Sequence, residues 1–385
     1  MTEKDFKLVD FEFYERIGDR PNWEIQKLRL GDFQVILSDN AQGKTRLFNV
    51  LRSLKDFHTG NIKINNPVYS GKYTLWFNEG GDEIIYQFEM KGVSTGPGLT
   101  FDEIIKRNNN VLFDRSKKIL VEEESGARIE KFFLPDNVPV VCSATEKGYS
   151  TFKNIRNFLE RMLFLQANRF VGSEQIDISD RNAMIMNDKG SNISSVMANW
   201  KERMPLVFNE VIKTFQNCFN FVTDINIKET TLPAGIKAPL LFLREKNVDY
   251  EIMQAEWSDG MLRALCLFAL PCTQFLDGGE DVIRPSLIGV DEIENGLDLS
   301  TLPKIINHYE SYSNLVQTLI ATHSPLVCNI IDPRDWIILR RKGITVEGFS
   351  PSDRENLDSE RAKLKKDNWE FYSRHIAKSD LYRIK

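Results

Sequence analysis

The sequence has little of what several common classes of protein require. Its 385 residues include only four histidines, none in an HxxxH or HExxH pattern, so a metallohydrolase built on histidine ligands has little material. Its five cysteines form no CxxC pair, and neither a disulfide framework nor a cysteine zinc site is expected. The longest apolar stretch, Leu265 to Cys272, is far shorter than the roughly 20 residues that cross a bilayer. We therefore expect no contact with a membrane.

An excess of positive charge is also lacking. The net charge of -5 gives no global attraction to phosphate backbones, so nucleic-acid binding would need a local basic patch or a partner. The first residues, MTEKDFK, contain no apolar signal region, which favours a cytoplasmic location. The composition, 42% hydrophobic and 27% charged, is that of a folded protein with one large or two modest domains.

Hydrophobic periodicity and turn signals divide the chain into five segments. The first predicts two antiparallel strands followed by strand, loop and helix, and the second predicts an antiparallel β lobe. The third has helical spacing, the fourth contains a strand, helix and strand typical of a parallel βαβ unit, and the fifth is a charged helix. These segments are residues 1–68, 69–150, 151–220, 221–350 and 351–385. The pattern predicts an α/β fold whose mixed sheet carries an antiparallel β lobe and an inserted helical subdomain.

The loop before the first predicted helix reads SDNAQGKT, from Ser38 to Thr45. It ends as the phosphate-binding pattern GxxxxGK[ST] does, although Ser38, which can take the turn at some cost in strain, stands where glycine is usual. In such a loop, backbone N–H groups bind the phosphates, the lysine reaches the β and γ oxygens, and the final hydroxyl binds Mg²⁺. Positive φ is expected at Asn40 and Gly43. The candidate ATP-binding residues are Asp39, Asn40, Ala41, Gln42, Gly43, Lys44 and Thr45, with Lys44 also catalytic and Thr45 also a metal ligand.

A second motif, SLIGVDE, is an apolar strand that ends in two carboxylates, Asp291 and Glu292. A buried strand would deliver Asp291 to the Mg²⁺ shell and place Glu292 to orient or deprotonate an attacking water. Read alone, the same pair is also typical of a solvated strand end that caps the next helix. The motif therefore gains its meaning from the others.

Two further motifs follow the same logic. WSDGMLR starts an apolar helix, and the free N–H groups at its N-terminus, headed by Ser258 and Gly260, would bind an anion. IATHSP places His323 at the end of an apolar strand. A helix cap and a structural histidine explain these residues singly, but all four motifs in this order favour a nucleotide site.

Together the motifs resemble the ABC-type ATPase heads of the SMC, RecF and OLD (overcoming lysogenisation defect) group, over most of the chain. SDNAQGKT resembles their P-loop, WSDGMLR their signature motif, LIGVDEIENGLD their Walker B motif and D-loop, and THSP their switch histidine. The resemblance implies a P-loop NTPase with an ABC-type head, ATP and Mg²⁺ as its ligands, and Gln166 in the Q-loop role near the metal. The chain departs from the group at Ser38, at Ala41, where a second glycine is usual, and at Asp298, where histidine is frequent.

The resemblance also implies a mechanism in which two heads pair head to tail. ATP on the P-loop of one head would be covered by Ser258 and Gly260 of the other, with Glu292 activating water and His323 contacting the γ-phosphate. The sequence has no long heptad run for an SMC-type arm, and too few residues follow His323 for the nuclease domain of OLD proteins. We predict a nucleotide-switch ATPase that controls or scaffolds a separate effector such as a nuclease, similar to ATPase subunits of bacterial anti-phage systems.

Three other functions stay open at this point. A RecF-like DNA-repair ATPase that clamps duplex DNA would need basic residues in the dimer groove, whereas a solvated helix face explains the same residues equally well. The candidates for this groove are Lys153, Arg156, Arg161 and Arg169. A nucleotide-binding scaffold with little turnover is less compatible with intact Asp291, Glu292 and His323. A transporter ATPase fits the diverged signature and the ENGL sequence less well.

Overall fold

The computed structural model separates the chain into two compact units. Unit 1 comprises Met1–Met162 and Asp335–Asp353, and unit 2 comprises Leu163–Arg334 and Arg354–Lys385. The residues that the structure describes are 6–17, 20–39, 41–59, 70–92, 99–123, 125–129, 134–143, 148–166, 177, 181–232, 235–274 and 284–350. The charged helix expected in 351–385 therefore lies outside the described residues.

The described residues of unit 1 form ten strands, of which seven make a continuous antiparallel run in the order β8-β7-β6-β5-β4-β1-β2. The sheet then continues with three more strands. Strand β16 pairs parallel with β2, β15 pairs antiparallel with β16, and β3 pairs parallel with β15. The strands are β1 (Phe6–Ile17), β2 (Arg20–Arg29), β3 (Phe33–Leu37), β4 (Ser70–Glu79), β5 (Asp82–Gly92), β6 (Leu99–Arg107), β7 (Asn110–Asp114), β8 (Ile119–Leu120), β15 (Trp336–Lys342) and β16 (Thr345–Phe349).

Within the described ranges of unit 1 there are three helices: α1 (Lys44–Thr59), α2 (Val140–Ser143) and α3 (Ser150–Glu160). Helix α1 follows β3 directly after the P-loop and buries the apolar stripe Leu47, Leu51 and Leu54, which recurs at helical spacing. Its buried stripe and the alternating apolar residues of β1, β4 and β5 form the core of the unit.

Unit 2 contains a three-stranded parallel sheet in the order β14-β13-β9 and a separate antiparallel sheet in the order β10-β11-β12. The parallel strands are β9 (Leu163–Gln166), β13 (Leu287–Asp291) and β14 (Gln317–Thr322), and all of their residues are buried. The antiparallel strands are β10 (Val222–Thr231), β11 (Lys237–Glu245) and β12 (Ile252–Met253). Continuous apolar runs are typical of parallel strands that are covered on both faces.

In the part of unit 2 that the structure describes, five helices accompany these strands: α4 (Ile193–Arg203), α5 (Pro205–Cys218), α6 (Asp259–Cys272), α7 (Thr301–Tyr312) and α8 (Pro325–Ile330). Helix α7 connects β13 to β14 and completes the βαβ unit that the sequence predicts. Helix α6 packs against α5 and α7, and its residues are buried from Leu262 to Cys272. Among the described helices, none is both long and apolar enough to span a bilayer.

The α/β fold with a mixed sheet, an antiparallel lobe and inserted helices is confirmed. One local expectation was wrong: residues Val140–Ser143 form a helix within the segment predicted as antiparallel β. Residues Leu163–Gln166 form a strand within a segment whose spacing is mostly helical. Four buried residues in a row fit either element, and only the pairing of β9 with β13 decides between them. The five-segment division of the chain stays a prediction.

A buried histidine lies in the last turn of α1, the helix that begins at the P-loop lysine. The Nδ1 atom of His58 lies 2.7 Å from the carbonyl oxygen of Leu54, and its ring meets Phe88 edge-on at 5.5 Å. Burial lowers the pKa of His58 from 6.5 to about 4, because the charged ring would lose its hydration. The ring is therefore neutral at pH 7 and donates its Nδ1 proton to Leu54.

The low pKa of His58 makes the stability of the protein depend on pH. Between pH 6.5 and pH 4 the unfolded chain binds a proton that the folded chain does not, so stability falls as the pH is lowered through this range. From pH 6 to pH 5 the wild type should lose about 1 kcal/mol more than His58→Gln, which has no titrating ring. Urea unfolding at several pH values measures this, and parallel profiles across the whole range would contradict the assignment.

Candidate nucleotide-binding and hydrolysis site

The P-loop in unit 1 holds its lysine by oxygen atoms of the loop itself. Lys44 is only 5% exposed, and its Nζ donates to the carbonyl oxygen of Ser38 at 2.6 Å and to the Ser38 Oγ at 2.7 Å. The Ser38 hydroxyl in turn donates to the carbonyl oxygen of Asp39 at 2.9 Å. The serine at the usual glycine position thus supplies a hydroxyl that glycine lacks, and this hydroxyl helps to orient the lysine ammonium.

The backbone of the loop takes left-handed conformations at two positions. Gly43 has φ 108° and Ala41 has φ 62°, whereas Ser38 does not adopt a positive φ. The strain expected at Ser38 is therefore absent, and Ala41 carries it instead, at a cost of about 1–2 kcal/mol for a residue with a side chain. Asn40, where positive φ was expected, lies outside the described residues.

Two contacts fix this conformation from outside the loop. A Cβ atom on Gly43 would lie 3.1 Å from the Val346 side chain and 3.3 Å from the ring of Trp23, so the loop rests directly on β2 and β16. The side-chain Oε1 of Gln42 accepts the backbone N–H of Arg341 at 2.6 Å. Asp39, Ala41 and Thr45 are exposed, as a loop that receives a ligand requires.

The other predicted site residues belong to unit 2, where three of them meet at one edge of the parallel sheet. Asp291 is paired in register with Gln166 of β9 on one side and with Ala321 of β14 on the other, two residues before His323. The carboxyl ends of adjacent parallel strands are the usual location of ligands in α/β folds. Asp291 and Gln166 are buried, whereas His323 is exposed.

Glu292 occupies a left-handed turn immediately after β13. Its φ is 52°, which for a residue with a side chain costs about 1–2 kcal/mol, and the side chain is half-buried. Its carbonyl oxygen accepts two hydrogen bonds, one from the backbone N–H of Asn295 and one from the Nη2 of Arg263, each at 3.0 Å. Strained backbone that neighbouring groups hold in place is typical of functional sites.

A residue that the sequence reasoning missed connects this turn to the switch histidine. The Glu294 carboxylate accepts the Thr322 hydroxyl and the backbone N–H of His323, both at 2.8 Å. It therefore fixes the backbone that carries His323 relative to the Walker B turn. Glu294 lies in the quoted sequence ENGL, but the sequence pattern alone does not show what its carboxylate contacts.

The signature motif forms the exposed N-terminus of α6. Ser258 is the N-cap residue, and its Oγ accepts the N–H of Met261 at 3.2 Å. Gly260 lies against the D-loop, since a Cβ atom there would be 2.6 Å from the carbonyl oxygen of Gly296. The glycine is thus required by a backbone contact within unit 2, in addition to any contact with a ligand.

The departure at Asp298 has a structural explanation. Its carboxylate accepts hydrogen bonds from the N–H and hydroxyl groups of both Ser300 and Thr301, at 2.7–2.9 Å. These bonds, those of Ser300 first, lower the pKa of Asp298 to about 2. Asp298 therefore caps the start of α7, which a histidine in this place would not do in the same way.

Each unit holds residues that fit Mg²⁺. The candidate donors are the Thr45 hydroxyl in unit 1 and the Asp291 carboxylate and Gln166 amide in unit 2, which are hard oxygen ligands of the kind that Mg²⁺ prefers. Within the described ranges, no three histidine, cysteine or acidic side chains cluster as a metal cage. Such a cage is not needed, because Mg²⁺ in nucleotide sites keeps water and phosphate oxygens as most of its ligands.

One of the candidate DNA-binding residues in α3 is paired with an acidic neighbour. The Nε of Arg156 donates to Glu160 at 2.7 Å, one helical turn away, whereas Lys153 is exposed. Arg169 lies outside the described residues. A local i, i+4 ion pair is typical of a solvated helix face.

The chain is similar in fold to solved structures. An Smc head bound to the C-winged helix domain of ScpA is 10% identical, with 90% of this chain and 98% of that chain covered and a TM-score of 0.53. An SMC head domain from Thermotoga maritima is 14% identical, with 89% and 98% covered and a TM-score of 0.42. At these identities the first likeness shows the fold, and the fold is that of an ABC-type ATPase head of the SMC-like kind.

Residues 39–329, more than half of the chain, match the family described as AAA domain, putative AbiEii toxin, Type IV TA system. The chain belongs to this family and is a nucleotide-binding ATPase. No curated protein matches it.

The contacts of Gly43 predict the effect of adding one methyl group to the P-loop. Gly43→Ala places a Cβ at a left-handed φ and against Val346 and Trp23, so the free energy of unfolding should fall by about 1–3 kcal/mol. ATP binding should be lost, because the loop N–H groups would turn away. Gly31→Ala is the matched control, since its Cβ would meet only the flexible Gln34 side chain at 3.4 Å. Fluorescent-nucleotide titration and urea unfolding measure both effects, and equal losses in the two variants would contradict this account.

Proposed function

We propose that the chain is a nucleotide-switch ATPase that works as a head-to-tail pair. ATP bound by Asp39–Thr45 of one copy is covered by Ser258 and Gly260 of the other. The nucleotide therefore binds the paired state better than the separated state, and hydrolysis releases the pair. Higher oligomers built from such pairs are compatible with the same contacts.

The observation that carries this proposal is the arrangement around Glu292. A carboxylate that follows the buried Asp291, on a turn held by two hydrogen bonds to its carbonyl oxygen, is suited to accept a proton from water. Glu294 keeps the segment of His323 next to the same turn, which supports a role for His323 at the γ-phosphate. Ser258 and Asp259 are exposed and Gly260 is half-buried, so the start of α6 is accessible to a second copy.

Mg²⁺ would supply charge neutralisation of the phosphates in this site. Thr45, Asp291 and Gln166 would hold it, and Lys44 would bind the β and γ oxygens once it leaves Ser38. The exposed N-terminus of α6, capped by Ser258, favours the negative charge of a phosphate through its N–H groups.

The ATP-dependent switch controls a separate effector protein. Our candidate for this effector is a nuclease in bacterial anti-phage defence. The family description names a putative toxin of a type IV toxin–antitoxin system, which supports a role in such conflict systems. The similar Smc head is bound to part of ScpA, which supports the use of this fold as a platform for a protein partner. The relation to OLD proteins is part of the same proposal.

Two substitutions separate binding from hydrolysis. Lys44→Ala should weaken ATP binding by roughly 100-fold or more, because it removes a charge-assisted contact to the phosphates. Glu292→Gln should keep binding, lower kcat by about 100-fold or more, and shift the mass to a dimer in ATP. Radiolabelled-phosphate release and light scattering measure these effects. Equal hydrolysis by the wild type and both variants would refute the site.

The effector and its setting need a cellular test. With the native locus expressed in a bacterial host, both Lys44→Ala and Glu292→Gln should abolish protection against phage, since one variant cannot pair and the other cannot release. Efficiency of plating measures protection, with Gly31→Ala as the control that retains it. Protection that survives both site variants would refute the defence role.

ATP-dependent binding of duplex DNA with a steep salt dependence would favour a RecF-like clamp instead.

A further inference from the structure

One charged residue lies inside the apolar helix of the signature motif. Arg263 is 2% exposed and stands in the run LRALCLFAL, where its neighbours from Leu262 to Leu270 are buried. Burial lowers the pKa of its guanidinium, although arginine stays charged at neutral pH. A buried charge is unfavourable without hydrogen-bond acceptors, so the place of Arg263 calls for a role that an apolar residue would not fill.

The guanidinium is directed at the Walker B turn. Its Nη2 donates to the carbonyl oxygen of Glu292 at 3.0 Å, and that oxygen also accepts the N–H of Asn295. Because Glu292 has a φ of 52°, its peptide needs such contacts to keep the left-handed conformation. The bond from Arg263 comes from a different element, so it fixes the turn relative to α6.

A second contact joins the same two elements. The first turn of α6 meets the D-loop where Gly260 leaves no room for a Cβ against the Gly296 carbonyl oxygen. Gly296 itself has a φ of 72°. The segment from Glu292 to Gly296 is thus held by α6 at both ends. Arg263 contacts its start from about one and a half helical turns after Ser258, and Gly260 contacts its end from within the first turn.

We infer that Arg263 is a positioning residue that holds the Glu292 backbone to the signature helix, and so links the helix that meets one nucleotide to the glutamate that hydrolyses the other. This inference rests on the proposed head-to-tail pairing, because only then does Ser258 contact the nucleotide of the second copy. Arg263 itself touches no reacting atom.

The test uses Arg263→Met, which keeps much of the volume and removes the donor and the buried charge. We expect kcat to fall by about 10- to 100-fold with KM for ATP and nucleotide affinity changed less than about three-fold, because the P-loop is intact. Arg263→Lys keeps one donor and should retain at least about three-fold more turnover than Arg263→Met. Equal turnover in these two variants would mean that the hydrogen bond is irrelevant, and would overturn the inference.

Two controls distinguish positioning from general damage to α6. Phe268→Leu, on the same helix and packed edge-on against His308, should lower thermal stability but leave kcat within about two-fold. A double-mutant cycle adds the decisive readout: in the Glu292→Gln background, Arg263→Met should cause no further loss, because the group that it positions is already inactive. Additive losses, or an equal fall in kcat for Phe268→Leu, would overturn the inference.

The proposed function is tested independently of Arg263. Its tests are the loss of turnover in Lys44→Ala and the increase in mass of Glu292→Gln in ATP, and neither depends on the Arg263 variants. If these hold and Arg263→Met turns over like the wild type, only the positioning role is lost.

Discussion

The register of the parallel sheet in unit 2 is the constraint on which the catalytic half of the protein depends. Because β13 pairs with β9 and β14 at once, Asp291, Gln166 and the start of the His323 segment must reach the same edge. A slip of one residue in either strand would turn Asp291 or Gln166 to the opposite face of the sheet. The buried apolar runs of all three strands fix this register.

Immediately after β13 the chain passes through Glu292, whose left-handed φ of 52° is unfavourable for a residue with a side chain. Hydrogen bonds from neighbouring residues stabilise this turn. Asn295, Arg263 and Glu294 each contribute a contact, to the Glu292 carbonyl oxygen or to the His323 segment. None of these residues has a role in the proposed chemistry of ATP hydrolysis. In our proposal their contacts preorganise Glu292 and His323, which lowers the cost of reaching a reactive arrangement.

The P-loop of unit 1 solves a related problem with different residues. Two departures from the usual glycines have separate consequences: Ser38 supplies an oxygen ligand for Lys44, whereas Ala41 carries a left-handed φ. Sequence reasoning located both positions and expected strain at the wrong one. A motif shows which residue types differ from the pattern, but the φ of each residue depends on how the loop rests on Trp23 and Val346.

The sequence by itself determined the α/β class, the order of most strands and helices, and the four motifs, because periodicity and turn residues are local properties of a chain. It also predicts which residues bear the chemistry, from Lys44 to His323, and these roles are part of our proposal. Tertiary structure decided the pairing of Leu163–Gln166 with β13, the cap that Asp298 provides, and the contacts of Arg263 and Glu294. Each of these depends on atoms far apart in the chain, whose approach is set by packing and leaves no periodic trace in the sequence.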